Sequence, residues 1–279
     1  MSPTLRSAPI VPATLVLAAL FPAPSVHAQT LPPDGDGAVE ALEASPRHGE
    51  WVKYDAGDGD MVEAWVVYPE RSDAAPVVVV IHEIFGMSDW IRAVADRLAG
   101  EGFLAIAPDM LSGKGPGGGG TSSFDSQEVG RAIRDLDRGE INRRLRAAGT
   151  YALALPAAGD RVGAVGFCWG GSTTWLLATD WPELDAAVVY YGTSPDGGYD
   201  GVHAPVLGLY GGNDNRVDAT IPRAEEAMTA LGKTFEPHVF DGAGHGFLRQ
   251  QSGQDGANLR ASRQAWPLTV AWLQRYLGR

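Results

Sequence analysis

Three short segments of this 279-residue sequence carry the residue types of a nucleophilic site. The first is Gly166-Phe167-Cys168-Trp169-Gly170-Gly171, which holds the only cysteine of the chain. Glycines around the thiol permit a sharp strand-to-helix turn and close packing of the helix on the strand. A thiol at that turn stands at a helix N-terminus, whose positive end favours thiolate. The Trp169 amide would then point to where an oxyanion develops. Taken alone, the segment also reads as a structural cysteine in a glycine-rich turn. The second segment, Gly211-Gly212-Asn213-Asp214, and the third, Asp241-Gly242-Ala243-Gly244-His245-Gly246-Phe247, each follow a strand-like run. Singly, Asp214 reads equally as a turn cap and His245 as a surface-loop histidine. Together they place nucleophile, acid and base, in that chain order, just past three strand ends. His245 would deprotonate the thiol and reprotonate the leaving group, and Asp214 would hold the imidazole tautomer and stabilise imidazolium.

Such residues need a sheet whose strand ends converge. Met61–Tyr68, Val77–Ile81, Phe103–Ala107, Val162–Gly166, Asp185–Tyr190, Pro205–Tyr210 and Phe235–Phe240 read as strands, several of them unbroken β-branched runs covered on both faces. Asp89–Gly100 has helical apolar spacing with Asp at its start and Gly at its end. Further helices are expected over Ser172–Thr179, Ile221–Leu231 and Leu259–Leu277. Asp125–Tyr151 reads as a long charged helix, interrupted near Gly139, with its Arg and Asp residues on a solvated face. Residues 108–123 contain GKGPGGGG and read as a flexible surface loop. Strands alternating with helices predict one α/β domain, a mainly parallel central sheet with helices on both faces, and the order Cys-Asp-His is that of an α/β-hydrolase-type fold.

The chain resembles the dienelactone hydrolase family from about Glu50 to its C-terminus. The likeness rests on His82-Glu83-Ile84-Phe85-Gly86, Ala107-Pro108-Asp109, GFCWGG, GGND and AGHGF. The resemblance implies a Cys168-His245-Asp214 triad that opens an enol-lactone through a thioester acyl-enzyme. It implies that Glu83 interacts with the thiol and helps to generate thiolate, and that the Ile84 amide joins that of Trp169 as oxyanion donor. Two family arginines hold the substrate carboxylate. Arg249 matches one of them, and is alternatively a solvated arginine. The other position reads Ser112-Gly113, with Lys114 adjacent as a substitute that lacks the bidentate fork. Dienelactone itself is therefore not the expected substrate. His82 is a candidate pocket-lining residue beside Glu83.

Composition sets outer bounds. With 44% hydrophobic residues, 20% charged and a net charge of −12, the chain is globular and ill suited to nucleic-acid backbones. A single cysteine excludes an internal disulfide framework, and no metal, nucleotide or redox motif is present, so no cofactor is expected. Residues 1–28 carry Arg6, the apolar run Ala13–Phe21 and small residues before Ala28, the pattern of a secretory signal peptide. Residues 29–48 read as a flexible N-terminal arm and 49–279 as the hydrolase-like domain. The expectation is an exported, periplasmic or secreted monomer without stable membrane insertion, acting on a small-molecule ester or lactone. A broad-specificity carboxylesterase or thioesterase, or a non-catalytic ligand-binding member of the fold, stand as alternatives.

Overall fold

Short β-branched runs separated by amphipathic stretches bury both kinds of element only when strands lie side by side with helices across each face. The computed structural model describes residues 30–278, and the signal peptide read over residues 1–28 lies outside them. Helix α1 (Ala38–Glu43) precedes strands β1 (Gly49–Asp55), β2 (Met61–Val67) and β3 (Ala75–Ile81), followed by α2 (Asp89–Gly100) and β4 (Leu104–Pro108). Helices α3 (Ser126–Arg134) and α4 (Arg138–Leu153) lead to β5 (Ala158–Phe167), α5 (Trp169–Asp180) and β6 (Ala186–Tyr190). The chain then forms β7 (Val206–Gly211), α6 (Asn215–Asp218), α7 (Ile221–Ala230), β8 (Phe235–Phe240) and α8 (Ala257–Leu277).

Among the described residues eight strands form one sheet, in the order β1-β2-β4-β3-β5-β6-β7-β8. Pairings from β4 to β8 are parallel, and β2 pairs antiparallel with both β1 and β4. Strand β3 shows why the sheet has two cores. Val77, Val79 and Ile81 point to one face, against Leu145 of α4 and Trp175 and Leu177 of α5. Val78 and Val80 point to the other, against Ile91, Val94 and Leu98 of α2 and Trp266, Val270 and Leu273 of α8. Helix α2 begins where Ser88 Oγ accepts a hydrogen bond from the Ile91 amide.

Three local expectations change, and the expected interruption near Gly139 is found. Residues 31–47 are not a loose arm: Ala38 is buried, and Leu31 and Leu42 pack against the core face shared with α2 and α8. The charged stretch breaks before Gly139, because Asp137 caps α4 by accepting from the amides of Gly139 (2.8 Å) and Glu140 (3.1 Å). Arg144 is not solvated. It is buried and paired with Asp60 at 2.6 Å, and it donates to the Met110 carbonyl, which locks the β1–β2 turn to the segment after β4. Strand β1, an edge strand with Trp51, Lys53 and Asp55 exposed, carries no apolar run that would mark it.

The glycine-rich loop is also tied down. The buried Asp109 carboxylate accepts from the Leu111 amide (3.0 Å), the Thr121 amide (2.7 Å) and Thr121 Oγ1 (2.6 Å). Thr121 Oγ1 in turn accepts from the Met87 amide, so the loop is joined to the segment after β3. Asp109→Ala strands three donors at one buried point. It should lower unfolding free energy by about 3 kcal/mol, read from the urea midpoint. A loss below about 0.5 kcal/mol, the size of an ordinary surface change, would contradict this.

Candidate active site

Parallel strands present their carboxyl ends along one edge, and the loops leaving β3, β5, β7 and β8 meet there. Strand β5 ends at Phe167, and Cys168 follows with φ 57° and ψ −113°, a strained conformation for a residue with a Cβ. Two hydrogen bonds hold it. The Cys168 amide donates to Tyr190 O (3.0 Å), and Cys168 O accepts from the Ser172 amide (3.1 Å). The glycines are needed for contact. A Cβ on Gly170 would lie 2.3 Å from the Ile81 carbonyl oxygen and 2.5 Å from that of His82. Helix α5 therefore starts directly against the end of β3. That contact sets the first turn of α5, which begins at Trp169, against the end of β3 from which the Glu83–Gly86 turn leaves. Cys168 is half-buried and has access to solvent.

Asp214 and His245 arrive on the loops after β7 and β8. The loops are joined by a hydrogen bond from the Asn213 amide to Ala243 O (2.9 Å). His245 Nδ1 lies 2.5 Å from Asp214 Oδ2. With Nδ1 so engaged, Nε2 is the ring nitrogen left for Cys168, whose side chain acts on the imidazole. Burial lowers the imidazole pKa, but the interactions with Cys168 and Asp214 outweigh it and push it up to about 9. This folded value lies above the ordinary 6.5. Stabilisation from protonated His245 is therefore complete below pH 6.5 and is lost as pH rises through about 9. A melting curve taken from pH 6 to 10 should fall through that window in the wild type and be flatter in His245→Gln. Equal slopes would contradict the assignment.

Glu83 lies at the end of β3, its side chain almost fully buried. Burial pushes its carboxyl pKa up, against the opposing charge and hydrogen bond of Arg249 and the charge of His245. Arg249 Nε donates to Glu83 Oε2 at 2.5 Å, and the guanidinium stacks over the exposed Phe85 ring at 4.7 Å. Arg249 is thus drawn into the site and is not a solvated surface charge.

Two candidates are placed otherwise. His82 is fully buried, accepts from the Met110 amide at Nε2 (3.3 Å) and donates from Nδ1 to Glu83 O (2.7 Å). Burial lowers its pKa. Both ring nitrogens are used within the protein and the ring stacks on Trp169, so His82 supports the Glu83 turn from behind instead of lining a pocket. Lys114 is taken by Glu140 at 2.7 Å. The cavity of about 400 Å³ that it borders is walled by Lys53, Asp60, Glu63 and Arg144 and includes none of Cys168, Asp214, His245 or Glu83. Ser112, beside it, is buried and accepts from the Glu63 amide.

Two residues that the sequence did not single out belong to the site. Tyr191, at φ 40°, meets His245 edge-on at 5.2 Å and has Glu83, Cys168 and Arg249 within electrostatic reach of its hydroxyl. That hydroxyl is buried and has no hydrogen-bond partner among the described residues. Burial raises its pKa well above the ordinary value, so it stays a neutral donor. Asn258 of α8 spans the histidine loop, accepting from the Gly244 amide (2.9 Å) and donating to Gln250 O (2.7 Å). The Tyr-Tyr pair ending β6 gave only a strand signal, and Asn258 sits in a helix far along the chain.

A strained residue between strand and helix, with an acid and a histidine on later strand ends of a mainly parallel sheet, defines an α/β-hydrolase. The profile of the Dienelactone hydrolase family matches residues 62–277, and the chain belongs to that family. A Salmonella typhimurium protein named "Putative carboxymethylenebutenolidase" is 31% identical over 276 residues, covering 92% of this chain and 96% of its own. The crystal structure of a "Dienelactone Hydrolase-like Promiscuous Phospotriesterase" from metagenomic libraries matches with TM-score 0.71 and 26% identity, over 83% of this chain and 99% of its own. A dienelactone hydrolase from Anabaena variabilis shares the fold, with TM-score 0.61 and 24% identity over 83% of this chain and 99% of its own. No helix among the described residues is long and apolar enough to cross a membrane.

Proposed function

We propose that this hydrolase is an exported enzyme that cleaves a carboxylic ester or lactone with Cys168 as nucleophile. The observation that supports the reading is His245, whose Nδ1 lies 2.5 Å from Asp214 Oδ2 and whose ring feels Cys168 at the strained turn after β5. His245 Nε2 takes the thiol proton, and the thiolate attacks the substrate carbonyl carbon. The amides of Ile84 and Trp169 receive the resulting oxyanion. Collapse breaks the ester C–O bond, and the leaving alkoxide takes the proton from His245. Water, deprotonated by His245, then splits the thioester and frees the acid and the thiol. Asp214 holds Nδ1–H and offsets the imidazolium charge. Glu83, with its raised pKa, is a second proton acceptor beside the thiol once a substrate anion draws Arg249 away.

Ser112 stands where the second substrate arginine would be, and Lys114 is held by Glu140. Both support acyl groups with one anionic or polar end, met by Arg249, in place of dienelactone itself. The basic and apolar pattern of residues 1–28 supports export. The test is a hydrolysis panel of lactones, aryl esters, thioesters and one phosphotriester, run on wild type and Cys168→Ala in parallel. The phosphotriester is included because of the name of the metagenomic relative. Ester or lactone turnover that disappears in Cys168→Ala supports the reading. Turnover that survives, or none in the wild type, overturns it.

A further inference from the structure

Residues 31–47 precede the span matched by the family profile, which begins at residue 62. Even so, the first of them are bonded to the loop that carries Arg249. Gln251 Nε2 donates both to Pro32 O (2.9 Å) and, within its own loop, to Leu248 O (3.0 Å). The Gly35 amide donates to Arg249 O (2.8 Å), and the Ser252 amide donates to Asp34 Oδ2 (3.1 Å). Gly35 permits the approach: a Cβ there would lie 3.2 Å from Arg249 Cγ and 3.3 Å from its carbonyl oxygen. The strap is also bolted to α2. Trp90 Nε1 donates to Pro33 O (3.0 Å), and Asp96 is paired with Arg47 and Ser45 at 2.5 Å.

These contacts act on one residue. The Arg249 main chain is gripped by the strap, while its side chain reaches Glu83 and Phe85 beside the thiol. A guanidinium is directed by its main chain, and a charged hydrogen bond at 2.5 Å does not survive a shift of about 1 Å. We propose that the strap Leu31–Gly35 is a positioning element of the active site, whose hold on the Arg249–Ser252 main chain sets the guanidinium against Glu83 and so sets the preference for acyl groups with an anionic end. The proposal rests on the ester-hydrolase reading above. A strap that only added stability would leave that preference untouched.

The test compares Asp34→Ala and Gln251→Ala, which cut the grip at the loop, with Ser45→Ala, which loosens the N-terminal segment on α2, beyond the strap. One readout needs no turnover. Cys168 is the only thiol, so the ratio of its alkylation rates by anionic iodoacetate and neutral iodoacetamide reports the cation beside it. The second is the ratio of kcat/KM for an aryl hemisuccinate to that for an aryl acetate. Both ratios should fall about three- to tenfold in Asp34→Ala and Gln251→Ala, through KM of the anionic ester, and stay at wild-type values in Ser45→Ala. Wild-type ratios in the first two variants overturn the proposal, whatever their melting temperatures. If Gln251→Ala does not fold, Asp34→Ala, which removes a more exposed bond, decides. If neither ester is hydrolysed by any form, the ester-hydrolase reading fails, and the alkylation ratio still decides the role of the strap.

Discussion

Cys168→Ala is expected to lower kcat for an aryl ester by about 10⁴-fold or more while the protein stays folded, because the proposed mechanism gives this residue the covalent bond to the acyl group. His245→Ala should lose a comparable factor. On the proposed mechanism its ring both removes the thiol proton and protonates the leaving group. The double variant should be little worse than either single one, since residues that act as a unit are not additive. Asp214→Asn should cost less, about 10²- to 10⁴-fold, by misdirecting the tautomer while leaving the thiol in place. Steady-state kinetics with a burst-phase measurement checks all four. A Cys168→Ala enzyme within tenfold of wild type would mean that the sulfur is a bystander and that acyl transfer runs through another group.

The second large effect is on the fold. Gly170→Val is expected to destabilise by about 3 kcal/mol or more and to remove most activity from what remains folded. The atoms that the new Cβ would strike, Ile81 O at 2.3 Å and His82 O at 2.5 Å, are backbone at the end of a central strand. They cannot swing aside as a side-chain tip would. Relief requires α5 to move away from β3, and that shifts Cys168 and Trp169 against the turn that follows β3. A displacement of about 1 Å at such a site can cost 10²-fold in rate. Gly197→Ala is the control, since nothing lies within 4 Å of its added Cβ. The urea midpoint and kcat of the two variants decide. If Gly170→Val unfolds at the wild-type midpoint, the contact that we assign to the elbow is not holding helix to strand.

These expectations rest on features with unequal visibility in the sequence. Helix α2 was readable to the residue, because a polar start, regular apolar spacing and a closing glycine all lie within one short segment. The unbroken valines of β3 announced a strand covered on both faces, and both cores are there. The candidate site residues stand out in the sequence for a similar reason: Cys168, Asp214 and His245 each sit in a glycine-marked turn after an apolar run. What could not be read depends on partners distant in sequence. His82 looks like a pocket residue until Met110 and Glu83 are seen to occupy both nitrogens. Lys114 looks available until Glu140 is found beside it. Arg144 reads as a solvated helix charge because Asp60 lies 84 residues earlier. Residues 31–47 have the composition of a linker, and partners distant in sequence, among them Trp90, Asp96, Arg249, Gln251 and Ser252, make them part of the body.

The tie between Asp109 and Thr121 fixes where the glycine-rich excursion leaves the domain and where it returns. Both ends are anchored by one carboxylate, so the intervening segment can be lengthened, shortened or exchanged at a modest loop-closure penalty, without transmitting strain to β4. That makes residues 113–120 a natural grafting position, where a foreign peptide can be inserted beside a cavity that Cys168, Asp214 and His245 do not line.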